Sequence, residues 1–137
     1  MDIQNKEKEY RTNETTVYSC QYHVVFCPKY RRSVLCDGVD SCLKKLVLGY
    51  CAKKNIKVLD MEVMPDHVHL LLDIPPMRSP RNEITGLKGY LSHELREVFP
   101  KLKSRLPSLW TRSIFISSVG AVSLEIVKKY IENQKNK

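Results

Sequence analysis

Polar and apolar positions alternate from Val17 to Phe26, with Val17, Ser19, Gln21, His23 and Val25 on one side and Tyr18, Cys20, Tyr22, Val24 and Phe26 on the other. A period of two in a stretch rich in β-branched and aromatic residues predicts a strand. Pro28 closes it, Asp37-Gly38 marks a turn, and Val39, Leu43, Leu46, Val47 and Tyr50 then recur at helical spacing, which predicts a first helix over Val39 to Lys53. Alternation returns when Ile56, Val58, Asp60 and Glu62 interleave with Lys57, Leu59, Met61 and Val63. After the short link Met64-Pro65-Asp66, His67-Val68-His69 leads into the apolar run Leu70-Leu71-Leu72-Asp73-Ile74, which Pro75-Pro76 ends by removing backbone donors. These two strands are predicted to pair as a hairpin.

A second helix is predicted from Ser79-Pro80 to Phe99, where Ile84, Leu87, Leu91, Leu95 and Val98 repeat at helical spacing, with Pro80 just inside the start and Pro100 after the end. Gly86 and Gly89 weaken it slightly. Ile114-Phe115-Ile116 reads as a short strand ended by Gly120, and Ser123 is a fitting N-cap for a terminal helix running to about Gln134. The order is βαββαβ plus one helix. It predicts an α+β, ferredoxin-like fold: an antiparallel four-stranded sheet backed by two helices on one face, with an additional C-terminal helix. Residues 1–137 form a single domain, with a polar tail over 1–14 and the terminal helix over 123–137.

Composition narrows the class. No apolar run approaches the ~18 residues of a membrane span, and the polar start lacks the apolar stretch of a signal peptide, so a cytoplasmic protein with no membrane partner is expected. Cys20, Cys27, Cys36, Cys42 and Cys51 are an odd set without a CxxC pair, which supports neither a disulfide framework nor a cysteine zinc site; they are expected to be small, reduced core residues. Lys and Arg number 23 against 15 Asp and Glu, a net charge of +8. Part of the excess clusters at Lys29-Tyr30-Arg31-Arg32 and at Lys101-Leu102-Lys103-Ser104-Arg105, and a polyanion is the natural partner.

Chemistry enters with His67 and His69. Two residues apart on a strand, both imidazoles point to one face about 7 Å apart, where they can share a cation; the same spacing also fits two half-buried, hydrogen-bonded histidines. On the terminal helix, Leu124, Val127 and Ile131 form the apolar stripe, and Tyr130 and Gln134 stack at i and i+4 along its border. The pair presents a hydroxyl and an amide together, or is simply an edge tyrosine beside a solvated glutamine. Imidazoles and an amide oxygen can hold Mg²⁺ or Mn²⁺ and leave positions open for a phosphate oxygen.

With Tyr22-His23-Val24-Val25-Phe26-Cys27-Pro28-Lys29-Tyr30-Arg31-Arg32, Glu62-Val63-Met64-Pro65-Asp66-His67-Val68-His69-Leu70-Leu71, Leu87-Lys88-Gly89, Leu109-Trp110, Phe115, Ser118-Val119-Gly120 and Val127-Lys128-Lys129-Tyr130-Ile131-Glu132-Asn133-Gln134, the chain resembles the HUH single-tyrosine transposases, the TnpA-type enzymes of small bacterial and archaeal insertion sequences. Nearly the whole length takes part. The resemblance implies that His67 and His69 are metal ligands, Gln134 a third ligand and Tyr130 the nucleophile. It implies a DNA transposase that cleaves and rejoins single-stranded DNA at insertion-sequence ends through a 5′-phosphotyrosine. It also implies hairpin recognition and a homodimer whose tyrosine helix reaches the partner's histidines. Arg112 stands where the family commonly has proline and Ile114 where it has an aromatic, which bears on loop geometry near Trp110 and not on the ligands or nucleophile. Lys29, Arg31, Arg32 and Lys88 are the expected DNA contacts, and Trp110 is expected to pack. The alternative is a non-catalytic ferredoxin-like module that binds single-stranded nucleic acid.

Overall fold

The computed structural model describes residues 10–120. Within them the apolar pattern resolves into β1 (Arg11–Thr12), β2 (Val17–Tyr18), β3 (Gln21–Phe26), α1 (Val39–Lys53), β4 (Lys57–Met64), β5 (His67–Asp73), α2 (Pro80–Val98), α3 (Lys101–Arg105) and β6 (Phe115–Ser118). The main sheet has the order β4-β5-β3-β6, and every neighbouring pair is antiparallel. This is the split βαβ arrangement that the element order predicts. The predicted terminal helix, with Tyr130 and Gln134, lies outside the described residues.

Both main helices begin and end where their sequences say they should. Gly38, at φ 94°, follows Asp37 at φ 55° and supplies the left-handed backbone that turns the chain into α1. Ser79 caps α2 by accepting from the Asn82 backbone N–H at 3.2 Å, with Pro80 at the first position. Val39, Leu43, Val47 and Cys51 of α1 and Ile84, Leu87, Leu91 and Leu95 of α2 meet Val24, Phe26, Val68, Leu70 and Leu72 of the sheet in one buried cluster. Burying each such leucine fully contributes roughly 1.5–3 kcal/mol. Leu71 is equally buried, yet it alternates to the opposite face and is not part of that cluster.

Two strands depart from the simple pattern. The predicted strand Val17 to Phe26 is broken at Ser19-Cys20: Val17–Tyr18 pairs with Arg11–Thr12, and only Gln21–Phe26 joins the main sheet. The hairpin turn is closed by Asn13, whose side-chain oxygen accepts from the N–H groups of Thr15 and Thr16 at 3.0 and 2.8 Å, so part of the predicted polar tail is ordered. In β4 the register slips between Val58, opposite Leu72, and Asp60, opposite Leu71. Leu59 is the extra residue of a bulge, and the slip puts Val58, Met61 and Val63 all against the core, which strict alternation would have split between faces. The helix α3 was not expected, its five residues being too short for a periodic signal. The five cysteines are all free, but only Cys51 is a core residue; burial pushes its thiol up to about 11. No helix among the described residues is long and apolar enough to cross a membrane.

The two glycines of α2 differ in a testable way. A Cβ at Gly89 meets nothing within 4 Å, whereas one at Gly86 falls 2.7 Å from the Tyr50 hydroxyl, whose ring is held against Tyr90 at 5.1 Å. Gly89→Ala is expected to stabilise the protein by about 0.5–1 kcal/mol in urea denaturation. Gly86→Ala should fall short of that gain or destabilise; equal gains would contradict the packing described.

Asp73 gives a second test. It is buried at the end of β5, and burial raises its carboxyl pKa, with the Arg11 guanidinium 3.4 Å away acting in the opposite direction and less strongly. A raised folded-state pKa means stability that is complete below the unfolded value and lost as pH rises through the folded value. Relative to Asp73→Asn, neutral at every pH, the wild-type protein should therefore lose stability as pH climbs from 3.8 towards neutrality, read from denaturation midpoints across that range. A constant difference would remove the buried charge from the account.

Candidate metal and nucleic-acid site

β5 sorts its side chains by parity. Val68, Leu70 and Leu72 enter the core, so His67, His69 and Leu71 face away from the helices. Opposite His69 stand Val25 on β3 and Glu62 on β4; opposite His67 stands Met64. Cross-strand partners share a face, so Glu62 brings a carboxylate to the imidazole side. His23, two residues before Val25, shares that face and reaches diagonally: its Nδ1 lies 3.1 Å from His69 Nε2, and the rings stack with centroids 5.2 Å apart at 28°. Between neutral rings one nitrogen donates and the other accepts. A separation of about 3 Å also suits two nitrogens that share a cation with bonds near 2.1 Å.

His67 is held differently. Its Nδ1 lies 2.9 Å from Asp66 Oδ1, and Arg31 Nη2 donates to Asp66 Oδ2 at 2.9 Å. Hydrogen bonds from His67 and Arg31 hold the Asp66 carboxyl below the usual carboxylate range. An ionised carboxylate only accepts, so His67 must donate from Nδ1, which leaves the lone pair of neutral His67 on Nε2. That is the arrangement in which a histidine is oriented for a metal by a carboxylate behind it.

Arg31 reaches Asp66 from an unusual backbone. Tyr30 and Arg31 are consecutive left-handed non-glycine residues, at φ 59° and φ 49°, a conformation that costs of order 1–3 kcal/mol at each. The turn is braced on both sides. Lys29 N–H donates to Leu109 carbonyl at 2.8 Å, Thr111 N–H to Cys27 carbonyl at 3.0 Å, and Leu35 N–H to Pro65 carbonyl at 3.0 Å, which ties the loop to the β4–β5 turn that carries Asp66. Trp110 packs as expected, edge-on to Phe26 with centroids 4.8 Å apart and its indole N–H on the Lys88 carbonyl at 3.0 Å.

Lys88 is placed differently from the other three expected DNA contacts. It is buried on α2, and its Nζ donates to the carbonyls of Thr111 at 2.7 Å and Ser113 at 3.4 Å, so it anchors the loop before β6. Burial lowers its pKa. Lys29 sits with its Nζ 5.5 Å from the centre of the exposed Tyr30 ring, and Arg31 and Arg32 are exposed beside it. Tyr130 and Gln134 lie outside the described residues. Among the described residues, no group of three or more His, Cys, Asp or Glu side chains is placed to hold a metal ion. His23, Asp66 and Glu62 carry no assigned role in the sequence reading. For His23 the only signal was its parity in β3, which becomes informative once β3 is known to pair with β5.

A family model described as "Transposase IS200 like" matches residues 16–134. The ISDra2 transposase TnpA of Deinococcus radiodurans is 37% identical over 123 residues, 88% of each chain. The transposase of insertion sequence IS200 from Salmonella typhimurium is 38% identical over 125 residues, 87% of this chain and 79% of the relative. A crystal structure of a D. radiodurans transposase superposes with TM-score 0.74 at 32% identity, over 90% of this chain and 97% of the other. The fold is also shared with a REP-associated tyrosine transposase solved with a REP hairpin, at TM-score 0.57 and 14% identity, over 89% of this chain and 68% of that one. With a family match across most of its length and relatives this similar over nearly all of it, the chain belongs to the IS200-like transposases.

Proposed function

We propose that this transposase cleaves and rejoins single-stranded DNA at the ends of its insertion sequence by transesterification, with Tyr130 as nucleophile and His67, His69 and Gln134 as ligands of Mg²⁺ or Mn²⁺. The observation that carries the reading is the pair of same-face imidazoles on β5, one of them already oriented through Asp66, in a chain of this family. Nitrogen donors suit Mn²⁺ better than Mg²⁺, which prefers oxygen. The bound cation supplies charge stabilisation at the scissile phosphate. The Tyr130 phenol oxygen attacks phosphorus and loses its proton, the bond to the 3′ oxygen breaks, and that oxygen leaves as a free 3′-hydroxyl. Because one phosphodiester replaces another, rejoining needs no nucleotide hydrolysis.

Exposed Tyr30 and Arg32 and half-buried Lys29 offer an aromatic face with cations nearby, a combination suited to an unpaired base and its phosphates. The strand bound is read as a hairpin, and the assembly as a homodimer whose tyrosine helix reaches the partner's histidines.

Incubation with Mn²⁺ and single strands carrying the palindromes that flank the gene should give a protein–DNA adduct that survives SDS. Tyr130→Phe should abolish the adduct and His67→Ala reduce it to background, while both still bind the hairpin. An adduct formed by Tyr130→Phe would overturn the assignment, and binding without any adduct from wild type would leave a binding module. Mixing Tyr130→Phe chains with His67→Ala chains should restore cleavage if sites are shared between subunits; no restoration would place tyrosine and histidines in one chain. Lys29→Ala should weaken hairpin binding and lower its salt slope by about one, with Mn²⁺ affinity unchanged.

A further inference from the structure

Arg31 and Asp66 are linked twice. The side chains meet at 2.9 Å, and the Leu35–Pro65 backbone hydrogen bond fastens one loop to the other. The other Asp66 oxygen faces His67 Nδ1, also at 2.9 Å. Arg31 is highly exposed, with 71% of its side chain open, so the ion pair does little for folding. The chain nevertheless holds two successive left-handed residues to put the guanidinium there. Strain that the fold does not need for stability points to the group it positions.

We infer that Asp66, backed by Arg31, is a positioning residue that fixes His67 as the Nδ1–H tautomer and turns its Nε2 towards the cation, so that Arg31 serves the metal ligand and is not a phosphate contact. The inference rests on the proposed metal site, and it assigns a task to the strained turn. Asp66 accepts two hydrogen bonds, one from a permanent cation, and so cannot exchange roles with the imidazole. Without it His67 is free to populate both tautomers, and only one presents Nε2.

The tautomer and metal measurements use the full chain without DNA, and the salt slope is read on the same chain with the hairpin. Long-range ¹H–¹⁵N correlation spectra of the imidazoles report the tautomer, and Mn²⁺ titration reports affinity. Wild type should show His67 as the single Nδ1–H form. Asp66→Ala should show a mixture and bind Mn²⁺ about 10–100-fold more weakly. Asp66→Asn, which keeps one acceptor where two are needed, should fall between them, and Arg31→Ala should weaken Mn²⁺ binding several-fold while leaving the salt slope of hairpin binding unchanged. A merely structural role would lower the melting temperature without moving the tautomer. An unchanged tautomer in Asp66→Ala, or a salt slope reduced by about one in Arg31→Ala, would overturn the inference. His67→Ala separates the two readings: if it retains wild-type Mn²⁺ affinity the proposed metal site fails, whereas if it loses Mn²⁺ and Asp66→Ala does not, only the positioning role fails.

Discussion

The antiparallel pairing of β3 with β5 is the constraint on which the rest of the structure depends. It joins Val24 to Leu70 and Tyr22 to Leu72 on the core side, and in the same register brings His23 diagonally onto His69 on the other. Because side chains alternate with a period of two, core and site are two faces of one registration and cannot be altered separately. A slip of one residue would move Leu70 and Leu72 to the imidazole face and drive His67 and His69 into the apolar layer under α1 and α2. The hydrophobic effect thus fixes where the imidazoles point, although neither takes part in the core.

That coupling explains what could be read from the sequence and what could not. Both helices were legible because apolar spacing over 15 and 19 residues agreed with the signals at their starts, the Asp37-Gly38 turn for α1 and the Ser79-Pro80 cap for α2. The histidine strand was legible because His67-Val68-His69 precedes an unbroken apolar run. The break at Ser19-Cys20 was not, since alternation continues unperturbed through it and only the partner strands decide where the chain changes sheets. The bulge at Leu59 was hidden for a related reason: it reverses parity part-way along β4, so a pattern read from one end misplaces the other. Both events depend on pairing between distant segments, which a local period does not contain.

At the site the same division holds. His67 and His69 announced themselves by spacing, but His23 lies 46 positions from His69 and meets it only through the sheet. Asp66 sat in the recognised motif without a role, because its meaning depends on Arg31, brought to it by a turn whose left-handed residues carry no glycine to betray them. The surroundings of Lys88 were the least legible. A lysine beside a glycine on a basic chain reads as a phosphate contact, yet the carbonyls of Thr111 and Ser113 close over its ammonium.

Net charge is therefore a poor map of where a polyanion is held. Of the four cations expected to contact DNA, Lys88 is buried on α2 against the loop before β6, Arg31 is paired with Asp66, Lys29 lies by the open Tyr30 ring and Arg32 is exposed. An excess of positive charge draws nucleic acid from a distance, with a range set by salt. Recognition needs cations whose hydrogen-bonding capacity is still available at the surface, together with a face on which a base can stack. The strained turn places both requirements next to the residue that orients His67. Exposed cations, an open aromatic ring and the partner of the Asp66 carboxylate therefore lie within a few residues of one another, on a loop that the backbone ties to Pro65 and Leu109.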